Sequence, residues 1–120
     1  ETTTKISDNA EIRGHGGPSH ELVAAFALAA SKVPGACMLS IDTEGTDGTT
    51  LYAGGLTDSK TAEAARLAGI DLYEALRGHA VGEALVALND AVFTGNTGTN
   101  LCDLNVLYVP AAASDRFKKS

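Results

Sequence analysis

The chain contains no tryptophan, and aromatic residues make up only 5% of it. Its core must therefore be aliphatic and alanine-rich rather than built on large rings. Long apolar runs are also missing. Nothing approaches the roughly 20 residues that cross a bilayer as a helix, and the first residues carry no signal-peptide pattern, so no membrane partner is expected. Basic residues are scarce, with 9 Lys and Arg against 15 Asp and Glu and a net charge of −6. A nucleic-acid partner needs clustered Lys and Arg and is not expected, although a local phosphate site stays compatible with the balance. The one basic cluster, Arg116, Lys118 and Lys119, reads as a solvated end. Cys37 and Cys102 lack CxxC spacing, which reads as two free, buried thiols in a cytoplasmic protein.

What is present is a chain of 120 residues, 44% of them hydrophobic, enough for one small domain with a real core. Its centre of interest is Leu39–Gly55. An apolar run, Ala36–Ile41, passes abruptly into acids, glycines and threonines. The run predicts a buried strand, and the switch predicts a loop at its C-terminal end, where ligands bind in open α/β sheets. An ordinary acidic surface loop has the same composition.

Upstream, Thr2–Ile6 and Glu11–Arg13 around Ser7-Asp8-Asn9 predict a hairpin. Gly14–Glu21 then opens onto an apolar helix over Leu22–Ser31, with Pro18 suited to its first position. Apolar residues on all its sides predict a buried helix. Its start is either an anion site made by free N–H groups or a glycine hinge. Downstream, Thr57 or Asp58 begins a helix that Gly69 ends. Asp71 and Glu74 have capping-box spacing for a helix over Leu72–Gly78, and Val81, Ala84, Leu85 and Leu88 mark another. Ala91–Thr94 and Asn105–Val109 are predicted strands. The order predicts an α/β fold, a mixed β-sheet with helices packed on it, over residues 1–110, with a flexible tail over 111–120.

Three polar, glycine-bearing loops result: Gly14–Glu21, Asp42–Gly55 and Gly95–Asp103. Meeting on one rim, they would gather Asp42, Glu44, Asp47 and Asp103 with Thr97, Thr99, Asn100 and a helix start. That combination suits a phosphorylated ligand with a divalent cation, since carboxylates hold Mg²⁺ and backbone N–H groups and hydroxyls hold phosphate. Familiar short motifs fail. Gly95–Asn100 lacks a Walker lysine, Gly14–Gly17 is not GxGxxG, and Asp42–Ala53 lacks the glycine and final Glu of a calcium loop. His15, His20 and His79 have no metal-ligand spacing, and no nucleophile-and-base pairing is legible.

Three segments in order nevertheless resemble the C-terminal domain of the MOFRL-type glycerate kinases. They are Glu1-Thr2-Thr3 followed by Gly16–Leu22; Asp42–Gly48 with Ala53-Gly54-Gly55; and Thr94–Asn100 with Asp103-Leu104. The family phosphorylates D-glycerate at O2 with ATP, and some members carry the label hydroxypyruvate reductase. The resemblance implies one domain of a two-domain kinase, using ATP and Mg²⁺, with the active site in the cleft facing an N-terminal nucleotide-binding-like domain. It implies substrate or phosphate contacts from Gly16, Gly17, Ser19, His20, Glu21, Thr97, Gly98, Thr99 and Asn100. Asp42 and Asp47 are the implied catalytic and metal-binding residues, or else hold the loops in shape. The chain departs from the family where Pro18 replaces an arginine, where Leu51 replaces an aspartate, and near His79–Gly82, where many members carry Asn-Asp-Ser-Tyr. A non-catalytic ligand-binding or scaffold module of the same fold is the alternative. A reductase fits less well, because no dinucleotide fingerprint is present. Alone, such a domain is expected to be inactive and to expose a face that could drive homodimerisation.

Overall fold

The structure, a computed structural model, describes residues 3–6 and 12–111. Its elements are α1 (Pro18–Ala29), β1 (Cys37–Asp42), β2 (Gly54–Asp58), α2 (Thr61–Leu67), α3 (Leu72–Arg77), α4 (Val81–Ala87), β3 (Ala91–Val92) and β4 (Asp103–Tyr108). The four strands form one sheet in the order β3-β2-β1-β4. The expected sheet with helices packed on it is present, and all of its pairings are antiparallel. Residues 3–6 and 12–13 carry no strand, and the rest of the expected hairpin, like residues 112–120 of the tail, lies outside the described residues.

Local chemistry explains the element ends. Pro18 takes the first position of α1, where its missing N–H costs no helical bond. Asp71 caps α3 by accepting from the Glu74 N–H at 3.0 Å. Gly69, at φ 74°, closes the turn after α2 as its composition predicts. The strand β2 is absent from the sequence-based expectation. Its first residues, Gly54 and Gly55, read there as the end of a loop.

The core is aliphatic and small-sided, as the lack of aromatics requires. Val23 and Ala24 of α1 pack with Val81 and Leu85 of α4, against Met38 of the sheet. Ala27, Ala65, Leu72 and Ala84 join the helices to one another. Thr57 of β2 donates its hydroxyl to the Val23 carbonyl at 2.7 Å, fixing α1 on the sheet. The apolar periphery of α1 predicts full burial, yet Ala25, Leu28 and Ala29 are exposed. The sheet and the other helices cover only one side of α1 among the described residues.

Candidate functional site

Antiparallel pairing brings the three polar loops together. The C-terminal end of β1 lies beside the N-terminal ends of β2 and β4, so the loops leaving or entering those ends share one edge of the sheet. Asp42 and Asp103 are direct partners across β1 and β4. Hydrogen bonds then lock the loops to each other. The Gly16 N–H donates to Thr49 Oγ1 at 3.1 Å, and the Thr49 N–H donates to the Gly16 carbonyl at 2.9 Å. On the other side, Thr97 Oγ1 donates to the Thr43 carbonyl, and the Leu101 N–H donates to Thr43 Oγ1 at 2.7 Å.

Two glycines permit this closeness. A Cβ on Gly17 would lie 2.6 Å from the Asp47 side chain and backbone, and one on Gly48 would lie 2.2 Å from the Gly16 carbonyl oxygen. Gly48 also sits at φ 57°, a left-handed conformation that side chains resist.

Asp47 occupies the centre of the arrangement and is 2% exposed. Its carboxylate accepts from the Ser19 N–H at 3.1 Å and the His20 N–H at 2.8 Å. It also accepts from His20 Nδ1, which must carry the proton because a carboxylate can only accept. The free N–H groups expected to hold a ligand anion at the start of α1 therefore hold the protein's own. Ser19 and His20 are themselves fully buried. Ser19 Oγ and His20 Nε2 have no hydrogen-bond partner among the described residues. Both residues thus face the interior and grip Asp47; neither side chain lines either of the two clefts beside it. Asp47, expected as a metal ligand, has its oxygens engaged because the helix start lies directly against them.

Two clefts flank this knot. The first, about 170 Å³, is lined by Pro18, Asp42, Asp47, Gly48, Asn100, Cys102 and Asp103. The second, about 400 Å³, includes Gly16, Gly17, Glu21, Thr49 and His79. Pro18 and Gly48 belong to both. Glu21 is held from both sides, 2.6 Å from His79 Nδ1 and accepting from Thr4 Oγ1 at 2.8 Å. Among the described residues, neither lining contains a lysine or arginine. Of the glycine-rich loop near residue 97, only Asn100 reaches the first cleft. Thr97 bonds Thr43 and the Thr99 carbonyl, Gly98 turns at φ 73°, and Thr99 donates its N–H back to Thr97. Asp103, expected among the rim carboxylates but given no role there, lines the cleft, and Cys102 is a cleft residue the sequence reading did not include. The signal for Asp103 was its position just before the last apolar strand, opposite the end of β1.

The oxygen donors at the first cleft fit a hard cation. Asp42 accepts from the Glu44 N–H at 2.9 Å through Oδ1, and it faces the cleft with Asp103 and Asn100. Mg²⁺ takes one or two carboxylates and completes its shell with water and phosphate. No group of three or more His, Cys, Asp or Glu that could hold a metal alone occurs among the described residues. The fit is to a cation shared with a ligand, not to one caged by this chain. Elsewhere, burial and the nearby Asp58 raise the Asp90 carboxyl above its usual range, with a Thr61 hydrogen bond opposing them. Glu83 is pushed up by burial, but hydrogen bonds from the His15 backbone and ring outweigh this and lower it. Cys37 and Cys102 are free thiols, as expected, but neither is buried as the sequence predicts: Cys37 is half-buried and Cys102 exposed. No helix among the described residues is long and apolar enough to cross a membrane.

Comparison with known proteins agrees with the loop pattern. The chain is 37% identical over 109 residues to a glycerate 2-kinase of Pyrococcus horikoshii and 36% identical over 104 residues to a D-glycerate 2-kinase of Thermotoga maritima. These matches cover 91% and 87% of this chain but 24% of each relative, so the chain spans about a quarter of their length. The crystal structure of a glycerate kinase from Thermotoga maritima superposes with a TM-score of 0.82 at 33% identity, over 90% of this chain and 26% of that one. The MOFRL family model matches residues 1–103, and the chain belongs to the MOFRL family.

Proposed function

We propose that this chain is a domain of an ATP-dependent glycerate 2-kinase and forms one wall of an interdomain active-site cleft. The observation that carries the reading is the pairing of Asp42 with Asp103 at the sheet edge where the three loops converge. Both carboxylates line the first cleft, and carboxylate oxygens are the donors Mg²⁺ takes. Asp42 and Asp103 would hold Mg²⁺ beside the polyphosphate, and Asn100 and the Gly48 backbone would meet the small hydroxy acid, glycerate. When bound, ATP supplies the phosphoryl group that passes to the glycerate O2 hydroxyl. The work left to the protein is to position the reactants and neutralise charge. Asp47, Ser19 and His20 are positioning residues in this scheme. They fix Gly48 and Pro18 where both clefts meet. Gly16, Gly17 and Glu21 shape the second cleft. Thr97, Gly98 and Thr99 anchor the loop that delivers Asn100. The positive charge that phosphoryl transfer needs would come from the N-terminal nucleotide-binding-like domain, since neither cleft is lined by Lys or Arg among the described residues.

A second reading, a binding module without chemistry, is favoured by Pro18, which stands where the resemblance implies that many family members carry an arginine. Coupled measurement of ADP release with glycerate, using full-length protein, separates the two. Asp42→Asn and Asp103→Asn are each expected to lower kcat at least about tenfold, as loss of a transition-state interaction does. Absence of glycerate-dependent ADP release in the unmutated protein would establish the module reading.

A further inference from the structure

The sheet is patterned in reverse. In a sheet with one wet face, polar residues point to water and apolar ones to the helices. Here Met38 packs in the core, and Thr57 bonds the α1 backbone, so these paired residues define the helical face. Ser40 and Asn105 share that face by register, and Ser40 Oγ bonds Asn105 Oδ1 at 2.5 Å. The alternate residues, Leu39, Ile41, Leu56, Leu104, Val106 and Tyr108, fall on the opposite face. Leu56, Leu104, Val106 and Tyr108 are 47–59% exposed. No helix covers this face among the described residues. The outward side is thus more apolar than the side that carries the helices along β1 and β4.

Asp58 and Cys37 also fall on this face, at one end of it, but a largely apolar sheet face is a core face awaiting its second layer. We propose that this face is the seat of the additional polypeptide that accompanies this domain in full-length protein, docked as a further layer over β2, β1 and β4. The inference rests on the reading of the chain as one domain of a longer protein, and not on its being a kinase. Its support is the reversed polarity together with length: the matched relatives carry about three-quarters of their chain outside the matched part. A second copy of this chain is the competing occupant, and a net charge of −6 on each copy disfavours it.

The test is thiol labelling. Leu56→Cys and Val106→Cys are placed separately in a Cys37→Ser, Cys102→Ser background, both in the 120-residue chain and in the full-length protein. Each rate is normalised to that of the same protein unfolded in urea, and mass in solution is followed across a dilution series. Labelling at least about tenfold slower in full-length protein than in the 120-residue chain, independent of concentration, is the expected result, since thiol reactivity follows access. Equal rates in the two proteins would overturn the proposal. So would protection that appears only as the mass doubles, which identifies a second copy, or a gene that encodes no further polypeptide. Labelling is independent of turnover, so slow labelling in a full-length protein without kinase activity would retain this proposal and refute the catalytic one.

Discussion

Replacing Asp47 with alanine is expected to remove a large part of the domain's stability. The carboxylate is 2% exposed and accepts three hydrogen bonds, two from N–H groups at the start of α1 and one from His20 Nδ1. His20 Nε2 has no partner among the described residues, so this bond is the one that satisfies the ring. Truncation strands three buried donors, and hydrogen bonds to a charged group are worth about 1.5–3 kcal/mol each before non-additivity. Loss of a helix cap alone costs about 0.5–2 kcal/mol, and loss of the favourable charge at the helix start adds to it. Because these contributions overlap, the total expected for Asp47→Ala is about 3–5 kcal/mol, against a typical domain stability of roughly 5–15 kcal/mol. Asp47→Asn keeps one acceptor but turns an amide donor toward another donor, so about 2–3 kcal/mol is expected. Asp42→Asn loses charge at a residue with one local bond, from Glu44, and should cost under about 1 kcal/mol. Urea unfolding of the 120-residue chain, followed by far-ultraviolet circular dichroism, measures all three. An Asp47→Ala loss no larger than that of Asp42→Asn would refute the assignment of Asp47 as the internal anchor of α1.

Asp90→Asn should raise stability at neutral pH by a few tenths of a kcal/mol, the scale of partly screened surface charges. The native carboxyl is raised by burial and Asp58. Its ionised form is therefore penalised above the folded pKa, and the penalty fades as pH falls toward the unfolded value near 3.9. The gain should disappear in melting curves below about pH 4. Glu83→Gln should behave oppositely. Glu83 is lowered in the folded chain, so its contribution is present above the unfolded value near 4.3 and is lost as pH falls through the folded one. The variant should melt below the parent at pH 7, with the difference closing in acid; a constant difference would contradict the His15 contact as its source. Gly48→Ala should cost about 2–4 kcal/mol in the same urea titration, combining a left-handed backbone with overlap on the Gly16 carbonyl. A loss under about 0.5 kcal/mol would show that the loops are free to separate.

Residues with local, periodic or capping signals were legible in the sequence. Pro18 marked the start of α1, Asp71 and Glu74 marked α3, Gly69 closed α2, and the apolar run before Asp42 marked β1. The strand β2 was not, because Gly54 and Gly55 weaken any strand signal. Those glycines answer to packing instead. A Cβ on Gly55 would lie 2.8 Å from Val23 and 2.9 Å from Leu85, so side chains are absent where α1 and α4 lie on the sheet. Missing β2 also hid the antiparallel topology that makes the loops meet. Within the site, Asp47 was singled out in the sequence as a rim carboxylate and through the family resemblance. Its role was not legible, since nothing local to Thr46-Asp47-Gly48 announces a helix start 27 residues away in the chain. Asp103 was legible as one of the rim carboxylates, but only strand register sets it opposite Asp42.

The engagement of Asp47 at the head of α1 has an electrostatic consequence for traffic into the clefts. A helix that has already met its counterion projects little attraction outward. With Asp42 nearby, the proposed cleft wall would disfavour bare anions and accept those that arrive already neutralised. A nucleotide or acid would therefore come escorted by a metal, or be drawn in by basic groups across the gap, and selectivity for charge-compensated guests would precede any recognition of their shape.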